Sequence, residues 1–465
     1  MIEYPRRMRM VLVLAAIVLG AGAARADELR DIYQELIEID TTHDAGSTTK
    51  AAEAMAARLK GAGLPAADVQ VLVPPGKPTK GNLVARLRGT GKRKPLLLLA
   101  HIDVVDAHKE DWTTDPFKLV EKDGFYYARG SSDDKAMAAI WVELIMRLAR
   151  AGARPDRDLV VALTADEESG PDNGVSWLLA THRDLIDAAY ALNEGGGGEI
   201  KDGKYIANEV QVSEKTYQSF QLETTNPGGH SSRPSKDNAI YHLAAALDRL
   251  ARFDFPAKLD DGTRAMLLAL SRIPGMKDAR DLTAAAKGLD ARLAARLSKD
   301  SYYNALLRTT CVATQVAAGH AENALPQRAR ATVNCRLLPG EDVAAVQKVL
   351  AGVVADPAIA VTPLAPGSGS PGSALLPELM GAVGDLTQAM WPGIVVMPSM
   401  STGATDGRYL RAAGIPCYGV SGIFRDVDDV RAHGKDERLG VKQLGEGRTF
   451  LYRLVRRLSG LPDEA

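Results

Sequence analysis

Residues 163–170 read LTADEESG, an apolar run that ends on two adjacent glutamates, Glu167 and Glu168. Neighbouring carboxylates repel, and an apolar approach implies a partly dry setting, so a positive partner is expected to face them. Four other places offer groups of the same kind. LLLLAHID carries His101 with Asp103 two positions on, RGSSDDK carries Asp133 and Asp134, ALNEGGGG carries Glu194, and RAHGKDE carries His433. Imidazoles and carboxylates without a thiolate form a donor set suited to zinc or a similar divalent ion. Side chains of neighbouring residues diverge, so one of Glu167 and Glu168 can bind metal while the other faces the activated water as general base. Residues two apart in an extended chain share a side, which lets Asp103 orient the His101 ring.

Taken singly, each signal has a plainer explanation. A lone His-x-Asp is commonly structural, paired acids mark solvated turns, and Asp-Asp-Lys at a helix start suits an N-cap. Order and placement carry the metal reading, because the groups stand at the ends of buried-looking strands or open the element that follows one. In open α/β sheets that is where ligands bind.

The elements that must position these groups are legible from periodicity. PLLLLA (95–100), DLVVALT (158–164) and AYALN (189–193) are short apolar runs, as expected of strands covered on both faces. Between the first two, residues 133–152 repeat apolar positions at helical spacing and end at a glycine, giving a strand–helix–strand unit. Near residue 214 the pattern changes. TYQSFQLETT (216–225), RTTCVATQVAAG (308–319) and RARATVNCRLL (328–338) alternate like half-exposed strands, and residues 238–253 read as a helix. These describe a smaller antiparallel α+β domain inserted into the first, interrupted by a charged, mostly helical stretch at 255–307. From about 374 the α/β character returns and closes with an amphipathic helix at 441–458. PGSGSPGS (366–373) reads as a loop.

The ordered motifs HID, RGSSDDK, ADEESG, LNEGG and AHG resemble those of the dizinc aminoacylase/carboxypeptidase family, which includes glutamate carboxypeptidase, carboxypeptidase S, aminoacylase and acetylornithine deacetylase. PGGHSSRP, AENALP, CRLLPGED and STGATDGR extend the resemblance over nearly all of the chain. It implies a three-layer α/β/α zinc-peptidase domain with an inserted lid: 27–213 and 343–465 form the catalytic domain, and 214–342 the lid or dimerisation domain. It further implies that Asp133 bridges two zinc ions, with His101 and Glu194 on one and Glu168 and His433 on the other. Glu167 would be the general base, Asp103 the support of His101, and the Asp133–Asp134 peptide would be cis. On the lid side the resemblance assigns His230 to the scissile carbonyl and Asn323, Arg336, Gly403 and Arg408 to substrate binding. The chain departs from the family in DDKA for DDKG, in Asn334 where an aspartate is common, and in a 366–377 loop without a basic residue. The last departure speaks against strict glutamate release.

At 465 residues, with 46% apolar and 25% charged residues, the composition is that of a soluble globular chain of two or three domains. Residues 1–26 pair Arg6, Arg7 and Arg9 with an apolar stretch and an Ala24-Arg25-Ala26 site, the pattern of a cleavable export signal. Cleavage would take the formal charge from −1 to −4, because the segment holds four arginines and one glutamate. A weakly acidic mature chain argues against nucleic acid as partner. Of the three cysteines, Cys311, Cys335 and Cys417, the first two lie in apolar alternating segments and read as buried thiols, with one disulfide left open. The expectation is an exported, periplasmic or secreted, amide-bond hydrolase with two Zn2+ ions, Co2+ or Mn2+ being substitutes. Its substrate would be a small peptide, as for a carboxypeptidase or dipeptidase. The alternative is an N-acyl amino acid, as for an aminoacylase, and a non-catalytic solute-binding protein is a distant third. No membrane span is expected after cleavage, and a homodimer through the lid is left open.

Overall fold

Burial in the strands follows the sequence pattern closely. Leu96–His101, Leu159–Thr164 and Tyr190–Asn193 are buried at every position, as continuous apolar runs require. The structure, a computed structural model, describes residues 28–168, 172–365 and 369–463. The expected export signal at 1–26 lies outside the described residues. Two compact units are present, one holding residues up to Glu194 with 198–204 and 421 onward, the other holding Gly195–Gly197 and Tyr205–Val420.

In the first unit the strands run in the spatial order Val69–Leu72, Asn82–Leu87, Leu159–Thr164, Leu96–His101, Tyr190–Asn193. The last three are mutually parallel, and Asn82–Leu87 is antiparallel to both of its neighbours. Parallel neighbours place His101 beside Thr164, so that the chain leaves both strands at the same edge. The helix Lys135–Arg150 packs on these strands, and its Trp141 indole donates to the Leu99 carbonyl at 3.0 Å. The closing helix Val441–Leu458 lies against it, tied by Arg448 to the buried Glu143 at 2.7 Å and by Arg147 over the Tyr452 ring.

The second unit contains the expected antiparallel sheet, in the order Thr310–Ala318, Arg328–Leu337, Thr216–Thr225, Ala360–Pro363. The helices Ala239–Ala251 and Val343–Val354 cover one face around Phe220, Leu222 and Val333. Thr310–Ala318 departs from the alternation expected of it. Nothing along it is fully buried, and Val312 and Val316 are each 61% exposed, because it is the edge strand. The 255–307 stretch forms four helices, Asp261–Leu270, Ala279–Lys287, Ala291–Leu297 and Ser301–Leu307, whose apolar sides share a core with Met397 and Met400 of the strand Val395–Ser401. That segment is therefore a packed layer. The reading of Cys311 and Cys335 as thiols is corrected, since they face each other on paired strands and form a disulfide, while Cys417 is a buried thiol outside it. Among the described residues no helix is long and apolar enough to cross a membrane.

Candidate metal centre

Five predicted side chains gather in the first unit. His101, Asp133 and Glu194 form one group, and Asp133, Glu168 and His433 another, each with its donor atoms within 4.8 Å of one another. Asp133 belongs to both. Its Oδ1 is 3.0 Å from His101 Nε2 and its Oδ2 is 3.3 Å from His433 Nε2, so one carboxylate faces two imidazoles from opposite ends. His433 Nε2 is also 2.9 Å from Glu168 Oε2. The peptide between Asp133 and Asp134 is cis.

His101, Glu168 and Glu194 are delivered by a strand end or the turn after it, Asp133 by the turn before the helix Lys135–Arg150, and His433 by the loop before the strand Arg438–Gly440. His101 is the last residue of its strand and is 1% exposed. Its Nδ1 lies 3.1 Å from the Asp103 carbonyl oxygen and 3.5 Å from the Asp103 carboxylate. The carboxylate was expected to serve the imidazole alone, but it does more. Its two oxygens accept the backbone N–H of Glu167 at 3.1 Å and of Glu168 at 3.0 Å. One buried aspartate thus fixes both the His101 ring and the turn bearing the two glutamates.

That turn is held from the other side as well. Asp166 sits at φ 55°, a conformation few non-glycine residues adopt, and its Oδ1 accepts from the buried Lys80 ammonium at 2.7 Å. The Asn82 side chain accepts the Ala165 N–H at 2.9 Å, and Asn173 donates to the Asp166 carbonyl at 3.2 Å. On the far side, Tyr33 and Arg425 donate to the carbonyls of Ser131 and Ser132, both at 2.7 Å, steadying the approach to Asp133.

The electrostatics are those of a site that attracts positive charge. Burial, then the charge of Asp133, raises the Glu194 carboxyl well above the carboxylate range. His433 is pushed up to about 10 by its contacts with Asp133 and Glu168. His101 is also raised, its bonds to Asp103 and Asp133 outweighing a burial that alone would lower it. Burial would raise Asp133, but hydrogen bonds from both histidines hold it far below the usual range. A divalent ion in each group would meet the same demand, and two imidazoles with three carboxylates are donors that zinc and similar ions accept. The residues fit the metal.

Five lid-side candidates fall in the second unit, in two sets. His230 and Asn323 adjoin, because Gly229–His230 pairs with Ala324–Leu325 and the Ser231 N–H donates to the Asn323 carbonyl at 3.0 Å. His230 is exposed, and its Nδ1 accepts from the Ser232 N–H at 3.2 Å. Arg336 reaches the Thr402 carbonyl at 3.5 Å, next to Gly403, and stacks on Tyr217. Arg408 opens the helix Gly407–Ala412 and bonds Tyr409 Oη at 2.8 Å. The buried Glu214 anchors the loop before it, accepting from Thr405 N–H at 3.0 Å and forming an ion pair with Arg411 at 2.8 Å. Among the glycines after Glu194, Gly196 is where the chain packs closely on itself. A Cβ there would stand 2.1 Å from the Gly419 carbonyl.

The His230 loop is tied down by an imidazole held between two carboxylates. His242 Nδ1 is 2.6 Å from Asp356 and its Nε2 is 3.0 Å from Asp237, which also accepts from Asn226 at 3.0 Å. Both carboxylates can be served only by the imidazolium, and the bond to Asp356, followed by that to Asp237, raises the His242 pKa. A folded-state pKa above the unfolded value adds stability that is complete below about pH 6.5 and lost as pH climbs through the folded value. His242→Ala is therefore expected to lower the melting temperature more at about pH 6 than at about pH 9. Melts that differ from wild type by the same interval at both pH values would refute this.

Sequence reasoning missed the residues that hold the ligands' backbone, above all Arg129 and Glu437. Glu437 stands in KDER, which reads as a solvated turn, yet it is fully buried. Its distance of four from His433 was the only available signal.

The family model described as Peptidase family M20/M25/M40 matches residues 97–457. The human N-fatty-acyl-amino acid synthase/hydrolase PM20D1 is 30% identical over 376 residues, covering 78% of this chain and 74% of the relative. The probable carboxypeptidase S-like 2 of Dictyostelium discoideum is 28% identical over 384 residues, covering 78% and 71%. In fold, the chain resembles the metallo-carboxypeptidase Sso-CP2 of Sulfolobus solfataricus, with a TM-score of 0.68 at 17% identity over 93% of this chain and 99% of that one.

Proposed function

The chain belongs to peptidase family M20/M25/M40 and is a metal-dependent hydrolase, and we propose that it cleaves an amide bond next to a free carboxylate with two ions sharing Asp133. The observation that carries this reading is the pair of donor groups with Asp133 common to both. His101, Asp133 and Glu194 would hold one ion, and Asp133, Glu168 and His433 the other. Bound there, two zinc ions, or cobalt or manganese in their place, supply Lewis-acid polarisation of the scissile carbonyl and acidify the attacking water.

The chain's own residues do the rest. Glu167 takes a proton from the attacking water as the C–O bond forms, and then delivers it to the leaving nitrogen as the C–N bond breaks. Asp103 keeps Glu167 and His101 in register through the bonds already described. Grip on the substrate is assigned to His230, Asn323, Arg336, Gly403 and Arg408.

Of the two substrate readings, the identity to an N-fatty-acyl-amino acid hydrolase supports the N-acyl amino acid, and the likeness to a carboxypeptidase S-like relative supports the peptide. The first is the stronger support, since it comes from the higher identity. Product analysis of the metal-loaded protein with matched N-acyl amino acids and dipeptides decides between them. Faster deacylation supports the first reading, exclusive dipeptide cleavage the second, and no hydrolysis across both panels would defeat the proposal. A solute-binding protein needs no general base, and Glu167 speaks against it. Export belongs to the same reading. The Cys311–Cys335 disulfide supports it, because such bonds persist in oxidising compartments. The uncovered edge strand Thr310–Ala318 supports a homodimer through the lid.

A further inference from the structure

Residues 129–133 and 433–437 lie about three hundred positions apart, and one buried ion pair spans them. Arg129 is 3% exposed and Glu437 is fully buried, with Arg129 Nη1 2.8 Å from Glu437 Oε2. The remaining capacity of Glu437 is spent on one loop. It accepts from the N–H of Gly130 at 3.0 Å, Ser132 at 2.7 Å and Asp133 at 3.1 Å, and from Ser132 Oγ at 3.0 Å. The other end of the pair reaches the opposite segment. Arg129 Nη2 donates to the His433 carbonyl at 3.3 Å, and its guanidinium lies 5.1 Å from the centre of the Trp112 ring.

His433 needs such support. Its φ is 61°, and that of Asp436 is 52°, in the left-handed region that is strained for a non-glycine residue. Asp436 is pinned by Thr113, whose N–H and Oγ both lie 2.9 Å from its carboxylate. A residue holds such a backbone only where its surroundings over-determine it.

We infer that Arg129 and Glu437 are a positioning pair that sets the distance between Asp133 and His433, and so the affinity for the ion held by Asp133, Glu168 and His433. Packing alone would not require charge here, since a buried ion pair is often no better for stability than an apolar pair of the same volume. The two halves differ in reach. Glu437 touches the backbone of Asp133, which serves both ions, whereas Arg129 touches the backbone of His433, which serves one.

This inference rests on the two-ion reading above, and the test separates the two. The metal-free full-length protein is titrated with zinc against a competing chelator, with thermal melts of each metal-free variant alongside. Wild type should take two equivalents; if it takes fewer, the two-ion reading fails. Glu437→Gln presents a donor where N–H groups need an acceptor, and both zinc affinities should fall about 10-fold or more. Arg129→Lys keeps the charge on Glu437 but cannot also span to His433, so one affinity should fall about 10-fold while the other stays within about 2-fold. A purely structural role would lower both affinities alike in Arg129→Lys, in step with a lower melting temperature, and that result overturns the inference. So do unchanged affinities in both variants when wild type binds two. Should Glu437→Gln not fold, Arg129→Lys decides alone, by selective loss or its absence.

Discussion

Glu167→Gln is expected to lower kcat by about 10²- to 10⁴-fold while metal content stays at the wild-type level. The size follows from the role. A positioned base that moves one proton in the transition state contributes about that much, and glutamine keeps the shape of glutamate without its basicity. Unchanged metal content follows from the geometry, because Glu168, not Glu167, belongs to a donor group. The Glu167 backbone will not move, since its N–H stays on Asp103. Kinetics with metal analysis on the same preparation check both halves. Loss of metal on substitution would make Glu167 a ligand, and retained turnover would remove it from the reaction.

Asp133→Ala is expected to have the larger consequence for the centre. Because both donor groups share this carboxylate, the variant should lose both ions and at least about 10³ in activity, the minimum when several kcal/mol of carbonyl polarisation disappear. Glu194→Ala is the contrast. It removes a donor from one group only, so one equivalent should survive. Elemental analysis of the two purified variants distinguishes them. Equal metal loss in both would show that Asp133 is not the shared ligand.

Much of this centre could be read from the sequence, and what could not shares one physical cause. The buried strands Leu96–His101 and Leu159–Thr164 and the helix Lys135–Arg150 announce themselves because apolar periodicity is written locally. The five donors stand at the ends of such elements or in the turns beside them, so their order along the chain carried the message. The motif resemblance then divided them between two ions, a division that neither spacing nor periodicity supplies. Glu437 and Arg129 were illegible because their burial is decided by a meeting of segments about three hundred residues apart. In sequence each is a charged residue in a polar turn. Lys80 was hidden in the same way, its partner Asp166 lying 86 positions on. The exposure of Thr310–Ala318 was missed for a related reason, because alternation shows a strand but not its place at an edge. The disulfide illustrates the limit from the other side. Three cysteines allow any pair, and only the register of Thr310–Ala318 on Arg328–Leu337 sets Cys311 against Cys335.

The central claim is that two ions share Asp133, and anomalous diffraction at the zinc edge from crystals of the metal-loaded protein tests it most directly. Two peaks are predicted, one bounded by His101, Asp133 and Glu194, the other by Asp133, Glu168 and His433. A single peak, or peaks that Asp133 does not touch, would contradict the account.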